Sequence, residues 1–378
     1  MAALGLYIHI PFCRSKCGYC AFNSQACAGA APDAYLEALA LELTRVATGW
    51  GQGRLFTSVF IGGGTPTIYP GALLARLLDR CRQLLLFAEE VEITVETNPN
   101  TVTAETLAAL ATHGVNRLSI GVQTFSDPLL AAIGRTHSAA QAMAAVDLAR
   151  EAGFANINLD LIYGLPNQTL GDWRETLESA LGLGPEHLAL YELSVEAGTP
   201  FAEREARGQL PLPDDEMLAE MELLAQELLA AHGYQRYEIS NFARPGGACR
   251  HNLNYWHNGP YLGLGAGAVS SFDGLRLTNL HDPQAYMARI NSGLAAFTEG
   301  EALGLAASFR ESVIMGLRLL EGVRRADLLA RYGLDPGCYY GETMERFQEQ
   351  GLVAMDDERL WLTGKALPVA HQVLSALV

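Results

Sequence analysis

Hydrophobic and polar positions along the first half of the chain follow two alternating periods. Short β-rich apolar runs are separated by longer stretches with the 3.6-residue period of amphipathic helices. The predicted strands are LYIHIPF (6–12), TSVFIG (57–62), VEITVET (91–97), NRLSIGVQ (116–123), NINLDLIYG (156–164) and HLALYEL (187–193). The predicted helices include residues 33–47, 103–114, 138–153 and 169–184. Several of these helices open on Asp, Thr or Ser, which are the usual N-terminal caps.

Six strand–helix units in succession predict an α/β fold with a parallel sheet and right-handed crossovers. Such a sheet is either doubly wound or curled into a barrel, and the pattern alone leaves both open. In both cases, binding sites lie at the C-terminal ends of the strands. Polar residues and glycines gather at these ends in this sequence.

The pattern changes after about residue 210. Residues 214–233 predict one long helix, and a Gly- and Asn-rich segment with many aromatic residues follows at 239–282. Near the end, GLVAMDDERLWLT (351–363) predicts a hairpin that turns at Asp356-Asp357. We therefore expect three parts. They are a βα core (1–210), a covering helix and aromatic segment (211–300), and a small winged-helix-like C-terminal module of α+β type (301–378).

Composition narrows the class of protein. The 378 residues are 49% hydrophobic, which is enough for a large core, and the formal net charge is -16. This charge argues against a nucleic-acid partner and leaves at most peripheral membrane association, because both surfaces bind clustered Lys and Arg. No apolar run is long enough to span a bilayer, and no export signal is recognisable. Seven cysteines without a paired spacing do not predict disulfides, so we expect a cytoplasmic protein.

Three of the seven cysteines lie close together after the first predicted strand. CRSKCGYC places Cys13, Cys17 and Cys20 on one loop, where their thiolates can converge on a single metal centre. A zinc site would need a fourth ligand, for which Cys27 or His9 is a candidate. A [4Fe–4S] cluster held by three cysteines would instead leave one iron open to a further ligand. The spacing alone leaves both alternatives open.

Polar residues mark the ends of the next strands. GGGTP (62–66) follows the second strand, where backbone without side chains can approach a ligand closely. Glu96, Gln123 and Asp160 lie at or near the ends of the following three strands, and Arg135 follows a short helix. Each charge could belong to a structural ion pair, because isolated charges are costly to bury. As a set they favour a polar cofactor.

The cysteine spacing, C-x3-C-x2-C, resembles that of the radical S-adenosylmethionine (SAM) superfamily. More closely, YIHIPFCRSKCGYCAF, GGGTP, LSIGVQTF, NLDLIYGLPNQ, YEISNFA and CRHNLNYW resemble, in this order, the oxygen-independent coproporphyrinogen III oxidase group. The resemblance implies a partial (β/α)6 TIM-like barrel that binds SAM and a [4Fe–4S] cluster. The implied cluster ligands are Cys13, Cys17 and Cys20. The implied cofactor-site residues are Tyr7, Tyr19, Phe22, Gly63, Gly64, Thr65, Glu96, Gln123, Arg135, Asp160, Ser194 and Val269.

This group has two branches, and the sequence departs from one of them. The oxidases carry an additional cysteine two positions after the third, where this chain has Phe22, and an extension before the motif. In both respects the sequence resembles the HemW branch, whose members bind heme and deliver it to acceptors such as respiratory-chain proteins. The resemblance therefore implies a heme chaperone. The alternatives are SAM-dependent radical decarboxylation of coproporphyrinogen III to protoporphyrinogen IX, and a zinc-bound interaction module. The sequence leaves open whether SAM is cleaved or only bound and whether a homodimer forms.

The segment GGACRHNLNYW (246–256) carries the chemistry expected of a heme site. The imidazole of His251 is a common axial ligand of heme iron, and Tyr255 and Trp256 offer flat surfaces. Arg244 and Arg250 could pair with propionates. A hydrogen-bonded structural histidine is the alternative, and the residues alone do not decide. The motif H-N-x-x-Y-W is associated with heme binding in the HemW branch. The resemblance thus implies a heme site at His251, Asn252, Tyr255 and Trp256.

The glycine-rich stretch GLGAGA (263–268) superficially suggests a dinucleotide-binding loop. That fingerprint requires a strand before the loop and a helix directly after it. VSSFDGLRLTN follows here, with an Asp-Gly turn and no helical period. We therefore predict a glycine-packed strand edge and no nicotinamide cofactor.

Overall fold

A computed structural model describes residues 3–27, 29 and 31–378 of the chain. The first 210 residues form alternating strands and helices, as their periodicity predicts. These elements are β1 (Leu4–Ile10), β2 (Phe12–Cys13), β3 (Gln25–Ala26), α1 (Asp33–Thr48), β4 (Leu55–Gly63), α2 (Gly71–Leu84), β5 (Leu86–Thr97), α3 (Ala104–Thr112), β6 (Arg117–Gln123), α4 (Asp127–Ala132), α5 (Ala139–Glu151), β7 (Ile157–Tyr163), α6 (Leu170–Gly182), β8 (His187–Glu192) and α7 (Pro200–Ala206).

The remainder of the chain contains shorter strands and a group of small helices. The elements up to residue 302 are α8 (Asp215–Ala231), β9 (Gln235–Arg236), β10 (Asn241–Ala243), α9 (Arg250–Trp256), β11 (Tyr261–Leu264), β12 (Val269–Phe272), β13 (Leu275–Asn279), α10 (Pro283–Asn291) and β14 (Phe297–Ala302). The last elements are α11 (Leu305–Gly316), β15 (Val323–Arg324), α12 (Arg325–Tyr332), α13 (Pro336–Tyr340), α14 (Glu342–Glu349), β16 (Val353–Met355), β17 (Arg359–Leu362) and α15 (Ala370–Ser375).

The six predicted strands lie side by side in chain order. Strands β1, β4, β5, β6, β7 and β8 pair in parallel, each with the next. Because every crossover steps in the same direction, right-handed connections place the helices on one face and the sheet curls into a barrel. Strand β11 extends it in parallel beside β1, and β10 extends it antiparallel beside β8. Within the described residues the sheet has twelve strands, and its outermost strands β14 and β9 do not pair with each other. The predicted partial barrel is confirmed.

The two faces of the barrel sheet differ in polarity, because successive side chains on a strand point to opposite faces. The outward face is apolar and packs on the helices, for example through Leu6, Ile8, Val59 and Ile61. Each such side chain stabilises the fold by roughly 1.5–3 kcal/mol when buried. The inward face carries many polar groups. These are Tyr7, His9, Ser58, Glu92, Glu96, Arg117, Ser119, Asn158, Asp160 and His187.

Several helix starts follow from local sequence. Ser138 caps α5 through a reciprocal capping box with Gln141, and Thr169 caps α6 in the same way with Asp172. Asp214 accepts a hydrogen bond from the Met217 backbone at the start of α8. These caps satisfy backbone N–H groups that have no partner inside the helix. These three helices therefore begin where their capping residues indicate, whereas α1 begins after Pro32 without a side-chain cap.

The C-terminal module has its own hydrophobic core, which includes Phe309, Val313 and Leu360. Strands β16 and β17 pair antiparallel, and Asp356 in the turn between them accepts hydrogen bonds from the backbone of Glu358 and Arg359. The predicted hairpin is confirmed. The division of the chain near residues 210 and 300 remains a prediction. No helix among the described residues has the length and apolar character needed to cross a membrane.

The glycine-rich stretch forms β11 and the loop that follows it. An added Cβ at Gly263 would lie 2.2 Å from the Val269 carbonyl oxygen, and one at Gly265 would lie 2.5 Å from the His9 carbonyl oxygen. Gly265 also has a φ of +98°. The close approach of β11 to its neighbours therefore requires glycine here. Strand β12 follows the loop, in agreement with the predicted glycine-packed strand.

Candidate cofactor site at the open end of the barrel

The three clustered cysteines lie on a loop at the C-terminal end of β1. The short parallel pair β2 and β3 closes this loop, and the Cys27 backbone N–H donates to the Cys13 carbonyl at 2.9 Å. The Gly18 backbone N–H donates to the Ile133 carbonyl at 3.2 Å, which fastens the loop to the segment after α4. All seven cysteines have free thiols. The loop thus presents three available sulfurs at the open end of the barrel.

Two polar side chains approach the cysteine sulfurs. The Thr65 hydroxyl lies 3.7 Å from Cys13 Sγ, and Arg135 Nη1 lies 3.7 Å from Cys17 Sγ. Burial raises the pKa of the Cys13 thiol above its ordinary value, and the neighbouring thiols of Cys20 and Cys17 add to the effect. A bound metal reverses this preference, because a coordinating thiol is deprotonated. The Thr65 and Arg135 donors would then stabilise the thiolates.

The single-ion alternative can be examined at its candidate ligands. Among the described residues, no group of three or more His, Cys, Asp or Glu side chains is arranged to hold one metal ion. His9, a candidate fourth zinc ligand, contacts the Tyr7 hydroxyl through Nδ1 and the Asn23 carbonyl through Nε2, both at 2.8 Å. Both ring nitrogens of His9 are thus hydrogen-bonded within the protein.

The glycine loop after β4 brings bare backbone against the cysteine loop. The Gly64 N–H donates to the Ile10 carbonyl at 2.8 Å, and an added Cβ at this position would lie 2.6 Å from the Phe12 carbonyl oxygen. Gly63 has a φ of +114°, and its added Cβ would lie 2.4 Å from the ring of His9. A side chain fits at neither position. Only glycine allows this loop to lie so close to the cysteines.

Two buried carboxyl groups face the barrel interior near this loop. Glu96 accepts a hydrogen bond from the Gly63 N–H at 2.9 Å, and Asp160 accepts from Ser119 Oγ at 3.1 Å and Asn158 Nδ2 at 2.8 Å. Burial raises the pKa of Glu96 to about 7, and the charge of Asp160 adds to this. Burial also raises the pKa of Asp160. Two carboxyl groups whose ionisation is disfavoured in this way suit a cationic ligand, which would restore both charges.

The end of β6 places Gln123 and Arg135 beside these groups. The pairing with β7 shifts register between Gly121 and Gln123, and Gln123 has a φ of +70°. Arg135 donates through Nη2 to the Gly121 carbonyl, while its buried Nε has no hydrogen-bond partner in the described part of the chain. A buried guanidinium donor is costly to leave unpaired. Arg135 is therefore suited to receive a ligand acceptor.

The other residues that the resemblance implies differ in burial: some pack inside the protein and others lie at its surface. The Tyr19 ring packs edge-on against Phe201, with 6.3 Å between ring centroids, and Phe22 is 71% exposed on the cysteine loop. Ser194 is exposed just after β8. Val269 begins β12, on the face opposite to Ser270, whose hydroxyl accepts from the Gly263 N–H. The structure therefore brings together Tyr7, Gly63, Gly64, Thr65, Glu96, Gln123, Arg135 and Asp160, and leaves Phe22 and Ser194 at the surface.

Sequence reasoning missed three residues near this site. Ser119 and Asn158 both contact Asp160. Tyr191 shares the inward face of β8 with Ala189, the register partner of Asp160, and is 42% exposed. The missing signal was the period-two alternation within the predicted strands, in which Asn158 lies two positions before Asp160. Polar residues that share the inward face of a strand with a site residue are candidates for its partners.

The predicted heme motif lies at the other end of the barrel. Helix α9 places His251 inside it, where the residue is 1% exposed. Its Nδ1 contacts Ser58 Oγ at 2.9 Å, its Nε2 contacts the Tyr255 hydroxyl at 3.0 Å, and its ring stacks on Phe60. Burial lowers the pKa of His251 to about 3, and the positive charge of Arg117 adds to this. A heme iron can reach the ring only if one of these contacts opens.

Trp256, the last residue of the motif, lies against the C-terminal module. The Arg318 guanidinium lies 4.4 Å from the centroid of the Trp256 ring, and the buried Trp256 Nε1 has no hydrogen-bond partner among the described residues. Asn252 is partly exposed. Of the predicted propionate partners, Arg250 Nη1 donates to the Glu90 carbonyl at 2.6 Å, and Arg244 lies over the ring of Tyr234. The motif therefore joins two parts of the molecule.

Comparison with known proteins agrees with this architecture. Residues 7–180 match the model of the Radical SAM superfamily, and residues 307–369 match that of the HemN C-terminal domain. The chain is 37% identical to the heme chaperone HemW of Bacillus subtilis over 98% of each protein. It is 41% identical to the heme chaperone HemW of Escherichia coli, covering 88% of this chain and 86% of that one. The structure of E. coli coproporphyrinogen III oxidase (HemN), a radical SAM enzyme, superposes with a TM-score of 0.87 at 26% identity. That match covers 100% of this chain and 90% of the oxidase.

Proposed function

This chain belongs to the HemW family of radical SAM proteins, and we propose that it binds heme and delivers it to acceptor proteins. Membership of the radical SAM superfamily implies a [4Fe–4S] cluster and SAM. The observation that carries the heme proposal is the similarity to curated heme chaperones over nearly the whole length of both chains. The acceptors that we propose are heme proteins of the respiratory chain.

We propose that Cys13, Cys17 and Cys20 hold the cluster. Three free thiols on one loop, with Thr65 and Arg135 donating toward two of them, support this assignment. When bound, the cluster supplies an electron and an open iron to which SAM can bind. The protein itself provides the bare backbone of the glycine loop and a buried, polar interior in which the ligand is oriented.

We assign SAM to the interior beside Glu96 and Asp160. SAM carries a sulfonium cation and an amino group, and these two carboxyl groups become fully charged when a cation approaches. Arg135, whose Nε is buried without a partner among the described residues, can receive the carboxylate of the ligand. The donor and acceptor groups of this end of the barrel therefore match the groups of SAM.

For heme, we propose the motif of α9, with His251 as the axial ligand. Imidazole is a common ligand of heme iron, and Tyr255 and Trp256 supply aromatic surfaces beside it. Both ring nitrogens of His251 are hydrogen-bonded, and the residue is 1% exposed inside the barrel. Heme binding at this site therefore requires α9 to move away from Ser58.

An absorption titration with heme tests this proposal. The unmodified protein should bind heme saturably, and His251→Ala should shift the heme absorption bands because the iron loses its axial ligand. His257→Ala is a matched control, since His257 lies on the exposed end of the same helix. Circular dichroism of each variant checks that the fold is retained. Identical heme spectra for His251→Ala and the unmodified protein would assign the ligand to another residue.

Coproporphyrinogen III oxidation is the second candidate function. The structural similarity to the E. coli oxidase over the whole chain favours it. Phe22 stands where the oxidases have an additional cysteine, and its side chain is 71% exposed on the cysteine loop. The two functions differ in their product, because only the oxidase forms protoporphyrinogen IX.

A further inference from the structure

A continuous chain of hydrogen bonds crosses the barrel interior from the proposed SAM site to the start of α9. Its members are Asp160, Asn158, His187, Tyr237 and the backbone of Cys249. Asn158 Nδ2 lies 2.8 Å from Asp160 Oδ1, and Asn158 Oδ1 lies 2.6 Å from His187 Nδ1. His187 Nε2 lies 2.9 Å from the Tyr237 hydroxyl, which lies 3.4 Å from the Cys249 backbone nitrogen. Cys249 is the residue immediately before α9.

Chemistry fixes the donor and acceptor at each link. Asn158 Oδ1 can only accept, so His187 Nδ1 must carry the proton. Burial holds the pKa of His187 well below its ordinary value, with the charge of Arg117 adding to this, so Nε2 is unprotonated and accepts from the Tyr237 hydroxyl. The Tyr237 oxygen in turn accepts from the Cys249 N–H. All donors therefore point from α9 toward the Asp160 carboxylate, an arrangement in which each bond strengthens the next.

The same end of α9 is held by a second group. Glu92 accepts hydrogen bonds from the backbone N–H groups of Arg250 and His251, both at 3.1 Å. When α9 moves to expose the His251 ring, the adjoining Cys249 N–H moves with it and leaves Tyr237. Breaking this link also weakens the hydrogen bonds of His187 and Asn158, because each bond of the chain strengthens the next. The closed position of α9 and the position of Asp160 thus belong to one network.

We propose that Asn158, His187 and Tyr237 are positioning residues that couple SAM binding at Asp160 to heme binding at α9, such that SAM weakens the binding of heme. This inference rests on the proposed function. SAM keeps Asp160 charged and in place, which favours the intact chain of hydrogen bonds and the position of α9 in which His251 contacts Ser58. Heme requires α9 to leave this position. Because linkage is reciprocal, heme must weaken SAM binding by the same factor.

The test measures each ligand with and without the other. Heme dissociation constants are determined by absorption titration of the cluster-loaded protein with and without saturating SAM, and SAM dissociation constants by equilibrium dialysis with and without heme. SAM should raise the heme dissociation constant of the unmodified protein by about 5- to 150-fold, the usual range of such coupling. We call the ratio of the heme dissociation constants with and without SAM the coupling factor. Tyr237→Phe removes the hydroxyl that joins His187 to Cys249, so this variant should bind both ligands with a coupling factor near one.

Tyr286→Phe is the matched control. Its buried hydroxyl donates to Glu42 at 2.6 Å, on the outer side of the sheet and outside the chain of hydrogen bonds. It should retain the coupling factor of the unmodified protein. Asn158→Ala breaks a different link and should also lose the coupling, which keeps the proposal testable if Tyr237→Phe fails to fold.

Three results would overturn the proposal: equal coupling in Tyr237→Phe and Tyr286→Phe, no coupling in the unmodified protein, or tighter heme binding in the presence of SAM. Failure of the proposed function gives a different result. In that case the unmodified protein fails to bind heme or SAM when each is added alone, and this inference falls with it.

Discussion

Two glutamates on the same strand show how the two ends of the barrel differ. Glu92 and Glu96 both lie on the inward face of β5, four residues apart. Glu92 accepts hydrogen bonds from the backbone of Arg250 and His251 and from Cys249 Sγ. Within the described part of the chain Glu96 accepts one, from the Gly63 N–H, and burial raises its pKa to about 7. The protein itself satisfies the first carboxylate, while the second retains capacity for a ligand.

The arginines of the two ends do not differ in this way, because Arg117 and Arg135 both have a buried Nε without a hydrogen-bond partner among the described residues. Arg117, on the inward face of β6, is 2% exposed and feels the charge of Glu92 near α9, whereas Arg135 lies at the open end beside Cys17. The carboxylates distinguish the two ends. A carboxylate that the fold surrounds with its own donors supports structure, whereas one with few donors at the open end is available for binding. The following predictions test this distinction.

The largest effect is expected at the open end, on replacing Cys13, Cys17 and Cys20 together by alanine. The triple variant should lose essentially all bound iron after anaerobic reconstitution, because these thiolates are the cluster ligands that we propose. Iron content and the visible absorption of the cluster measure this. A Cys27→Ala/Cys338→Ala double variant should retain its iron. Full iron retention in the triple variant would refute the assignment.

At the end of the barrel where α9 lies, Glu92→Ala should lower the free energy of unfolding by about 3 kcal/mol, because it leaves two buried backbone donors at the start of α9 without a partner. Chemical unfolding followed by circular dichroism measures the change. Glu89→Ala is the control, since Glu89 is exposed on the same strand. It should stay within about 0.5 kcal/mol. Equal effects of the two substitutions would show that Glu92 does not hold α9.

Asp160→Ala should weaken SAM binding roughly ten- to a hundredfold, the effect of losing one charge-assisted contact of about 1.5–3 kcal/mol. Equilibrium dialysis of the cluster-loaded protein provides the measurement. Asp147→Ala, on the exposed face of α5, should leave the SAM affinity unchanged. Unchanged affinity in Asp160→Ala would remove this residue from the site.

The smallest effect is a pH dependence that comes from Glu96. Its pKa is raised from 4.5 to about 7 in the folded protein. Between these two pH values, Glu96 is therefore protonated in the folded protein and ionised in the unfolded chain. Stability should therefore fall as pH rises through this window, by roughly 1.4 kcal/mol per pH unit at most. SAM affinity should rise over the same window, because the cation binds the ionised carboxylate.

Two isosteric variants separate these effects. Glu96→Gln should flatten the pH profile of SAM affinity and reduce the pH dependence of stability, to which Glu42 still contributes. Burial also raises the pKa of Glu42 to about 7, but Glu42 lies on the outer side of the sheet. Glu42→Gln should therefore reduce the change of stability with pH and leave the change of SAM affinity with pH as it is in the unmodified protein. A SAM affinity that does not change with pH in the unmodified protein would contradict the placement of SAM beside Glu96.

The fold was largely predictable from the sequence, and the open end of the barrel in part. Strand positions follow from periodicity, and the ends of parallel strands meet wherever such a sheet forms. Glu96 was predicted as a site residue from its place at the C-terminal end of VEITVET, whereas the role of Glu92 near the start of the same strand was not predictable. Glu92 has a structural role because α9, some 160 positions farther along, lies against it. The links from His187 to Tyr237 and Cys249 likewise join strands and loops that are distant in sequence.

The most direct test of the central claim is one anaerobic reaction that contains cluster-loaded protein, SAM, a reductant and coproporphyrinogen III. Chromatography of the mixture follows 5′-deoxyadenosine and protoporphyrinogen IX, with the E. coli oxidase as a positive control. For a heme chaperone we predict an intact cluster and no protoporphyrinogen above the level of a protein-free sample. Formation of protoporphyrinogen at the expense of coproporphyrinogen would contradict the heme-chaperone assignment and identify this chain as an oxidase despite Phe22.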